Sequence, residues 1–470
     1  MTHHLVDSKG KAVPITPVSR KGFRAWLKAQ PAGVRQWVEG HHFEPKPGDF
    51  LVLPAPRGGL GGVLLGVGEG ADIWSWGDLP SKLPAGRYRI AANLTAEAAN
   101  AAALGWGLGS YRFTRYRKAS GKLADLVWPE GADHARVVNA IEATWMVRDL
   151  INTPAEDMGP AELADAARDI AKQHKASFRV TVGDELLKKG YRTIHAVGRA
   201  STRPPRLIDL RWGNRGPKLT LVGKGVCFDS GGYDLKTAQG MQGMKKDMGG
   251  AAHVLGLGRM IMAANLPVRL RVLVPAVENL VSGNAFKPMD IIKTFKGLTV
   301  EIGNTDAEGR LILCDALAEA DGENPDLIVD FATLTGAARV ALGTDLPALF
   351  CNHDATAERL LAAGLAVDDP LWRLPLHKPY AKQLKSKIAD MNNISSGGQG
   401  GAITAALFLN AFVAETTPWI HIDLMASNAS HRPGRPEGGE AMALRALFAM
   451  VEGWLADKPA AKKAGGRKKR

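Results

Sequence analysis

Three cysteines in 470 residues, Cys227, Cys314 and Cys351, are too few for a disulfide framework and have no paired metal-ligand spacing. A reducing, cytoplasmic setting fits them. No apolar run approaches the ~20 residues that a membrane span needs. The N-terminus has no apolar core behind it, so no secretory signal is expected. Two catalytic signatures are missing as well. There is no His-Glu-x-x-His, and the Gly-rich loop at 223–232 lacks the Gly-Lys-Ser/Thr ending of a phosphate-binding loop. Acidic charge is in short supply, and the formal net charge is +13. Part of that excess is local, because residues 458–470 carry seven Lys/Arg and no acids. This tail reads as a disordered, solvated end, with a weak nucleic-acid contact as the sharper alternative.

What is present is a globular composition, 45% hydrophobic, in α/β order. Residues 1–130 read as a separate α/β domain. It has short strands at 50–54, 63–67 and 87–94, and an Ala-rich helix from Thr95, a plausible N-cap. After Pro129-Glu130-Gly131, residues 131–154 form a connecting amphipathic helix that ends before Pro154. From 155 to 457 helices and strands alternate, which predicts a larger domain with a mixed, mostly parallel sheet flanked by helices. Helices are expected at 160–174, 247–264, 311–320, 379–388, 402–415 and 440–455. Strands are expected at 178–182, 206–212, 218–222, 269–275, 298–302, 326–331, 349–351 and 419–424.

Chemistry concentrates in a few junctions. In Asn304-Thr305-Asp306-Ala307-Glu308-Gly309-Arg310, two carboxylates and a guanidinium are spaced two apart. An extended or loop backbone would point all three the same way. Upstream, Lys224 and Asp229 lie in a Gly-rich loop at a strand's carboxyl end. Lys236 follows, and Asp247 opens a helix. Singly, each has an ordinary explanation, such as an N-cap for Asp247 or a surface position for the lysines. Together, three aspartates and one glutamate near strand ends would repel without cations, and such oxygen-rich sets suit divalent ions. Two ions about 3.5–4 Å apart would neutralise them. His253 reads as structural.

These segments resemble the leucyl (cytosol) aminopeptidase family, the two-metal aminopeptidases marked by Asn-Thr-Asp-Ala-Glu-Gly-Arg. The likeness includes Arg148 to Ala155, Lys224 to Gly232, Asp247 to Ala252, Ala332 to Ala337, Ala402 to Ala406 and His421 to Asp423. It implies that Lys224, Asp229, Asp247 and Glu308 bind one metal and that Asp229, Asp306 and Glu308 bind the other. Zn or Mn stand first for both, with Mg or Co behind. It further implies Lys236 as the oxyanion donor and Arg310 as the holder of a bicarbonate proton shuttle. Met244, Thr333 and Gly336 would form an apolar pocket for the first side chain. The family fold implies an eight-stranded mixed sheet and a homohexamer acting on peptides. The implied enzyme is a leucyl aminopeptidase favouring Leu and other apolar first residues; the alternative is a nucleic-acid-binding regulator on the same scaffold. One departure is Tyr233-Asp234-Leu235-Lys236-Thr237, where the family usually has a small or polar residue, then aliphatic-Lys-Pro. Asp234 either tunes substrate preference or the Lys236 pKa, or it faces solvent as a neutral change, the reading favoured here.

Overall fold

The computed structural model describes residues 2–7 and 10–457; the basic segment 458–470 lies outside them. The chain divides into two compact units. One comprises residues up to Trp145 together with Asn428–Gly438, and the other Met146–Ser427 with the residues from Gly439 onward. The helix His134–Asn152 runs through the division.

The first unit holds a six-stranded sheet. Its order is Leu5–Val6, Asp125–Val127, Arg87–Ile90, Val13–Val18, Leu60–Gly66 and Phe50–Pro54, parallel but for the last pair. Thr95 caps the helix Ala96–Gly109 by accepting from Ala98 N. That satisfies one of the amides a helix start leaves open. Three of its strands, Leu5–Val6, Val13–Val18 and Asp125–Val127, are additional to those expected.

The second unit is built on the expected mixed sheet. Its strand order is Trp372–Arg373, Ala348–Cys351, Trp419–Asp423, Leu327–Ala332, Lys218–Gly223, Arg269–Asn279, Arg206–Trp212 and Ser177–Val182. A ninth strand, Gly225–Asp229, pairs with the far half of Arg269–Asn279. The central pairings are parallel, and the antiparallel ones lie towards the edges. The central strands are buried on both faces, hence their continuous apolar runs. Their carboxyl ends, at Gly223, Asn279, Ala332 and Asp423, open towards one end of the sheet, where such folds place ligands.

Several expected elements differ. The strand before the Asn304 loop is only Thr299–Glu301, and it belongs to a separate three-stranded sheet with Ile291–Lys293 and Met391–Asn392. The segment expected to be helical at 379–388 is a 3-10 turn, Lys378–Leu384. Asp247 does not open an α-helix; it sits in the 3-10 turn Met244–Met248, ahead of the helix Gly249–Ala263. Gly250 explains how closely that helix start approaches the sheet, since a Cβ there would lie 2.1 Å from the Phe331 carbonyl oxygen. The helix Glu308–Asp321 begins three residues earlier than its apolar pattern.

His253, fully buried in the helix Gly249–Ala263, has its tautomer fixed from both sides. Nδ1 donates to the Gly249 carbonyl at 2.6 Å, and Nε2 accepts from Met442 N at 2.9 Å. Burial pushes its pKa down to about 4, against the Gly249 hydrogen bond that pulls it up. The unfolded chain therefore takes up a proton near the ordinary value while the folded one does not. Stability present above pH 6.5 is lost as pH falls towards 4, by at most about 1.4 kcal/mol per unit. The expected result is that metal-free protein loses about 2 kcal/mol more between pH 7 and pH 5 than His253→Gln does, read from urea midpoints. Equal losses in the two proteins would remove this account of His253.

Candidate metal centre

Lys218–Gly223 and Gly225–Asp229 form one path along Arg269–Asn279, interrupted at Lys224. There the backbone turns to other partners: Lys224 N donates to Phe331 O at 3.0 Å, and Lys224 O accepts from Ala251 N at 2.8 Å. The lysine side chain is sent inward at the sheet's end. Its Nζ donates to Thr333 O at 2.8 Å and lies 2.7 Å from Asp247 Oδ2 and 3.0 Å from Glu308 Oε1. Gly309 leaves room for it, because a Cβ at 309 would come within 2.5 Å of Lys224 Cε.

Oxygens of Asp229, Asp306 and Glu308 all lie within 4.8 Å of one another. Asp229 and Glu308 are buried, and Asp306 is at the open side. Lys236 Nζ lies 2.8 Å from Asp229 Oδ2 and also bonds Asp306 Oδ1. Asp247 joins the group through Lys224, and its Oδ1 accepts from Thr333 Oγ1 at 2.7 Å. The six residues singled out by spacing, Lys224, Asp229, Lys236, Asp247, Asp306 and Glu308, thus converge on one place.

Arg310 behaves differently. Because the helix starts at Glu308, Glu308 and Arg310 follow helical geometry and diverge, so the two carboxylates and the guanidinium do not share one extended face. Arg310 Nη1 donates to Asn393 O at 2.7 Å, and its buried Nε has no partner. Burial lowers its pKa to about 10, against the pull of Glu308 and Asp423. Of the expected pocket residues, Thr333 is buried and its hydroxyl serves Asp247; Met244 is half-buried in the 3-10 turn before Asp247. Gly336 starts a helix capped by Thr335, and a Cβ there would meet only Arg339 Nη2 at 3.5 Å.

The electrostatics are those of crowded acids. Burial and then Asp229 push Glu308 up to about 8, with Lys224 opposing. Burial and Asp229 push Asp306 up to about 6, with Lys236 opposing. Burial works against charge on Lys224 too, but Asp247, Glu308 and Asp229 outweigh it and hold its pKa above the ordinary value. Lys236 is likewise raised, by Asp229 and Asp306 against burial. Two oxygens stand out: Asp247 Oδ2 and Glu308 Oε1 are buried, close to Lys224, yet accept no hydrogen bond of good geometry. Buried carboxylate oxygens that face the Lys224 ammonium without a formed hydrogen bond are in a setting that suits a cation.

Sequence patterning missed the residues that hold this centre. Asn279 Nδ2 donates to Asp229 Oδ1 at 2.8 Å and to Thr305 O at 3.1 Å. Asn393, fully buried, accepts from Gly303 N at 2.7 Å and donates to Asn304 O at 2.7 Å. Asp423 accepts from the amides of Leu334 and Thr335 and fixes the loop after Thr333. These partners are up to 90 residues away from the groups they hold, and no local signal marks them. Asp234 does not face solvent as expected; its carboxylate accepts from Thr305 N at 2.7 Å. Thr237 caps the short helix Ala238–Met241 through Gly240 N.

Residues 145–448 match the model of the cytosol aminopeptidase family catalytic domain, and residues 13–129 match that of the M17 aminopeptidase N-terminal domain. The chain belongs to the cytosol aminopeptidase family. A probable cytosol aminopeptidase of Roseiflexus castenholzii is 40% identical over 366 residues, 74% of this chain and 75% of that protein. Peptidase B of an Enterobacter species is 46% identical over 291 residues, 60% of this chain and 68% of its own. Among solved structures, the cytosol aminopeptidase of Coxiella burnetii superposes with a TM-score of 0.93 at 50% identity, covering 97% of this chain and 100% of that one. The bottromycin maturation enzyme BotP, in complex with Mn, gives 0.84 at 34% identity, covering 95% and 100%. The family is metal-dependent, in keeping with the open carboxylate oxygens here.

Added Mn²⁺ is therefore expected to raise the thermal midpoint of the protein, by an equivalent of about 2.7 kcal/mol at a hundredfold excess over Kd. Near pH 7, Glu308→Gln should lose most of that gain without lowering the metal-free midpoint, because a carboxyl pushed up to about 8 is already mostly uncharged and Gln keeps its shape. Differential scanning calorimetry with and without chelator reads both; an undiminished metal shift in the variant would dismiss Glu308 as a ligand.

Proposed function

We propose that this chain is a divalent-metal aminopeptidase that releases the N-terminal residue of a peptide, with apolar first residues such as Leu preferred. The observation that carries the reading is the convergence of Asp229, Asp306 and Glu308 within 4.8 Å at the sheet's end, with buried oxygens of Asp247 and Glu308 beside them against Lys224. In this reading Lys224, Asp229, Asp247 and Glu308 hold one ion, and Asp229, Asp306 and Glu308 the other. Zn or Mn are the expected occupants, with Mg or Co behind them. When bound, such a pair supplies an activated water and polarises the scissile carbonyl.

The chain's own groups divide the remaining work. Lys236 keeps its proton at neutral pH, since Asp229 and Asp306 hold it against burial. It can therefore donate to the carbonyl oxygen as negative charge develops there. Lys224 must be neutral to act as a ligand, and a dication beside it would favour that form. Arg310 offers a buried, unpartnered Nε towards an anion, and bicarbonate there would act as general base. Thr333 holds Asp247 in place, and Met244 and Gly336 would line the site for the first side chain. Trp419 and His421 both bond the Asp330 carboxylate out of solvent in the central strands, where the three brace the sheet.

Assembly as a hexamer and a cytoplasmic setting belong to the same proposal. No helix among the described residues is long and apolar enough to cross a membrane. Nothing in the fold or the relatives supports the nucleic-acid alternative.

Hydrolysis of Leu-p-nitroanilide tests the proposal. Activity is expected to vanish on chelation and return with Mn²⁺ or Zn²⁺. Lys236→Ala should lower kcat about 10²–10³-fold with metal binding kept. No hydrolysis with any metal, also on Leu-Gly, would refute the reading.

A further inference from the structure

Two loops deliver the carboxylates that crowd the centre, one carrying Asp229 and Lys236, the other Asp306 and Glu308. No covalent link is near; the loops are about seventy residues apart in sequence, as the Lys236–Asp306 pair measures. Like charges on Asp229 and Asp306 press them apart, and Lys236, paired with both, offsets part of that repulsion. Asp234 and Thr305 tie them together reciprocally. Thr305 N donates to Asp234 Oδ2 at 2.7 Å, and Asp234 N donates to Thr305 Oγ1 at 2.8 Å. The Thr305 hydroxyl donates its one proton to Gly231 O at 2.6 Å, with Asp234 Oδ2 at 3.1 Å from the same oxygen. Thr305 is fully buried and Asp234 half-buried.

The donor to the Asp234 carboxylate is the Thr305 amide, not a cation. That is the chemistry of a clamp on backbone geometry. The first loop is shaped to receive it, because Gly231 and Gly232 both have positive φ, +90° and +67°. A Cβ at 232 would come within 3.0 Å of Thr305 Oγ1. Asn279 adds a second tie, from Asp229 Oδ1 to Thr305 O.

We propose that Asp234 is a positioning residue: through Thr305 it fixes the separation of Asp229 and Asp306 before metal arrives, so that the centre is preorganised for two ions. The inference rests on the metal-centre assignment above. Partners that orient ligands are typically worth 10–100-fold in metal affinity.

The test is a calorimetric titration of Mn²⁺ into chelator-treated full-length protein. Asp234→Ala is expected to bind Mn²⁺ about 10–100-fold more weakly than the unaltered chain. Asp234→Asn, whose side-chain oxygen still accepts from Thr305 N, should stay within about threefold. At saturating Mn²⁺, Asp234→Ala should recover most of its kcat on Leu-p-nitroanilide, placing the defect in metal capture. Thr305→Val, of the same shape, removes the acceptor for Asp234 N and should weaken Mn²⁺ at least about fivefold; it serves if Asp234→Ala does not fold. Unchanged affinity in the folded variants, or an Asn variant as weak as Ala, would overturn the inference. If the unaltered chain binds no Mn²⁺, the metal-centre reading itself falls and takes this one with it.

Discussion

Four carboxylates and two lysines occupy one end of a buried sheet, and their mutual repulsion and attraction set the terms for everything around them. Asp229, Asp306 and Glu308 stand too close to be comfortable as three anions. Burial raises Glu308 and Asp306, and Lys224 and Lys236 are held charged in compensation. Such an arrangement is poor as a stabilising device, because buried charges recover their desolvation cost only with complete partnering. Here the partnering is incomplete at Asp247 Oδ2 and Glu308 Oε1. That cost is the reason to read these oxygens as belonging to the proposed metal site rather than to the stability of the fold.

Holding the cluster together is a task for neutral hydrogen bonds and close packing. Asn279, Thr305 and Asn393 bond the loops to one another without adding charge. Glycines at 250 and 309 let backbone and the Lys224 side chain approach where any side chain would collide. The sheet beneath is fully buried in its central strands, so the loop ends are anchored in close-packed material that resists displacement.

Much of this was legible beforehand. The apolar runs at 218–222, 269–275 and 326–331 announced buried parallel strands, and all three exist, the second extended to Asn279. The six charged residues were identifiable by type and by position at strand ends. Boundaries failed where charge met helix: Glu308, Gly309 and Arg310 look like a loop, but the helix takes them in, since an acid at a helix start is favoured by the exposed amides. Helix periodicity at 379–388 yielded to a 3-10 turn, Lys378–Leu384, with Pro379 in its first positions. Asp234 read as a surface charge because nothing local shows that Thr305 will lie opposite it.

The sequence by itself determined the α/β class, the family and which charged groups stand as candidates for chemistry, because side-chain type and local spacing are properties of the chain alone. Only the tertiary structure decided which oxygens stay open, which way Arg310 turns, and that Asn279, Asn393 and Asp234 hold the centre. Those outcomes depend on contacts between residues tens of positions apart, and a hydrogen bond across such a distance leaves no periodic trace in the chain.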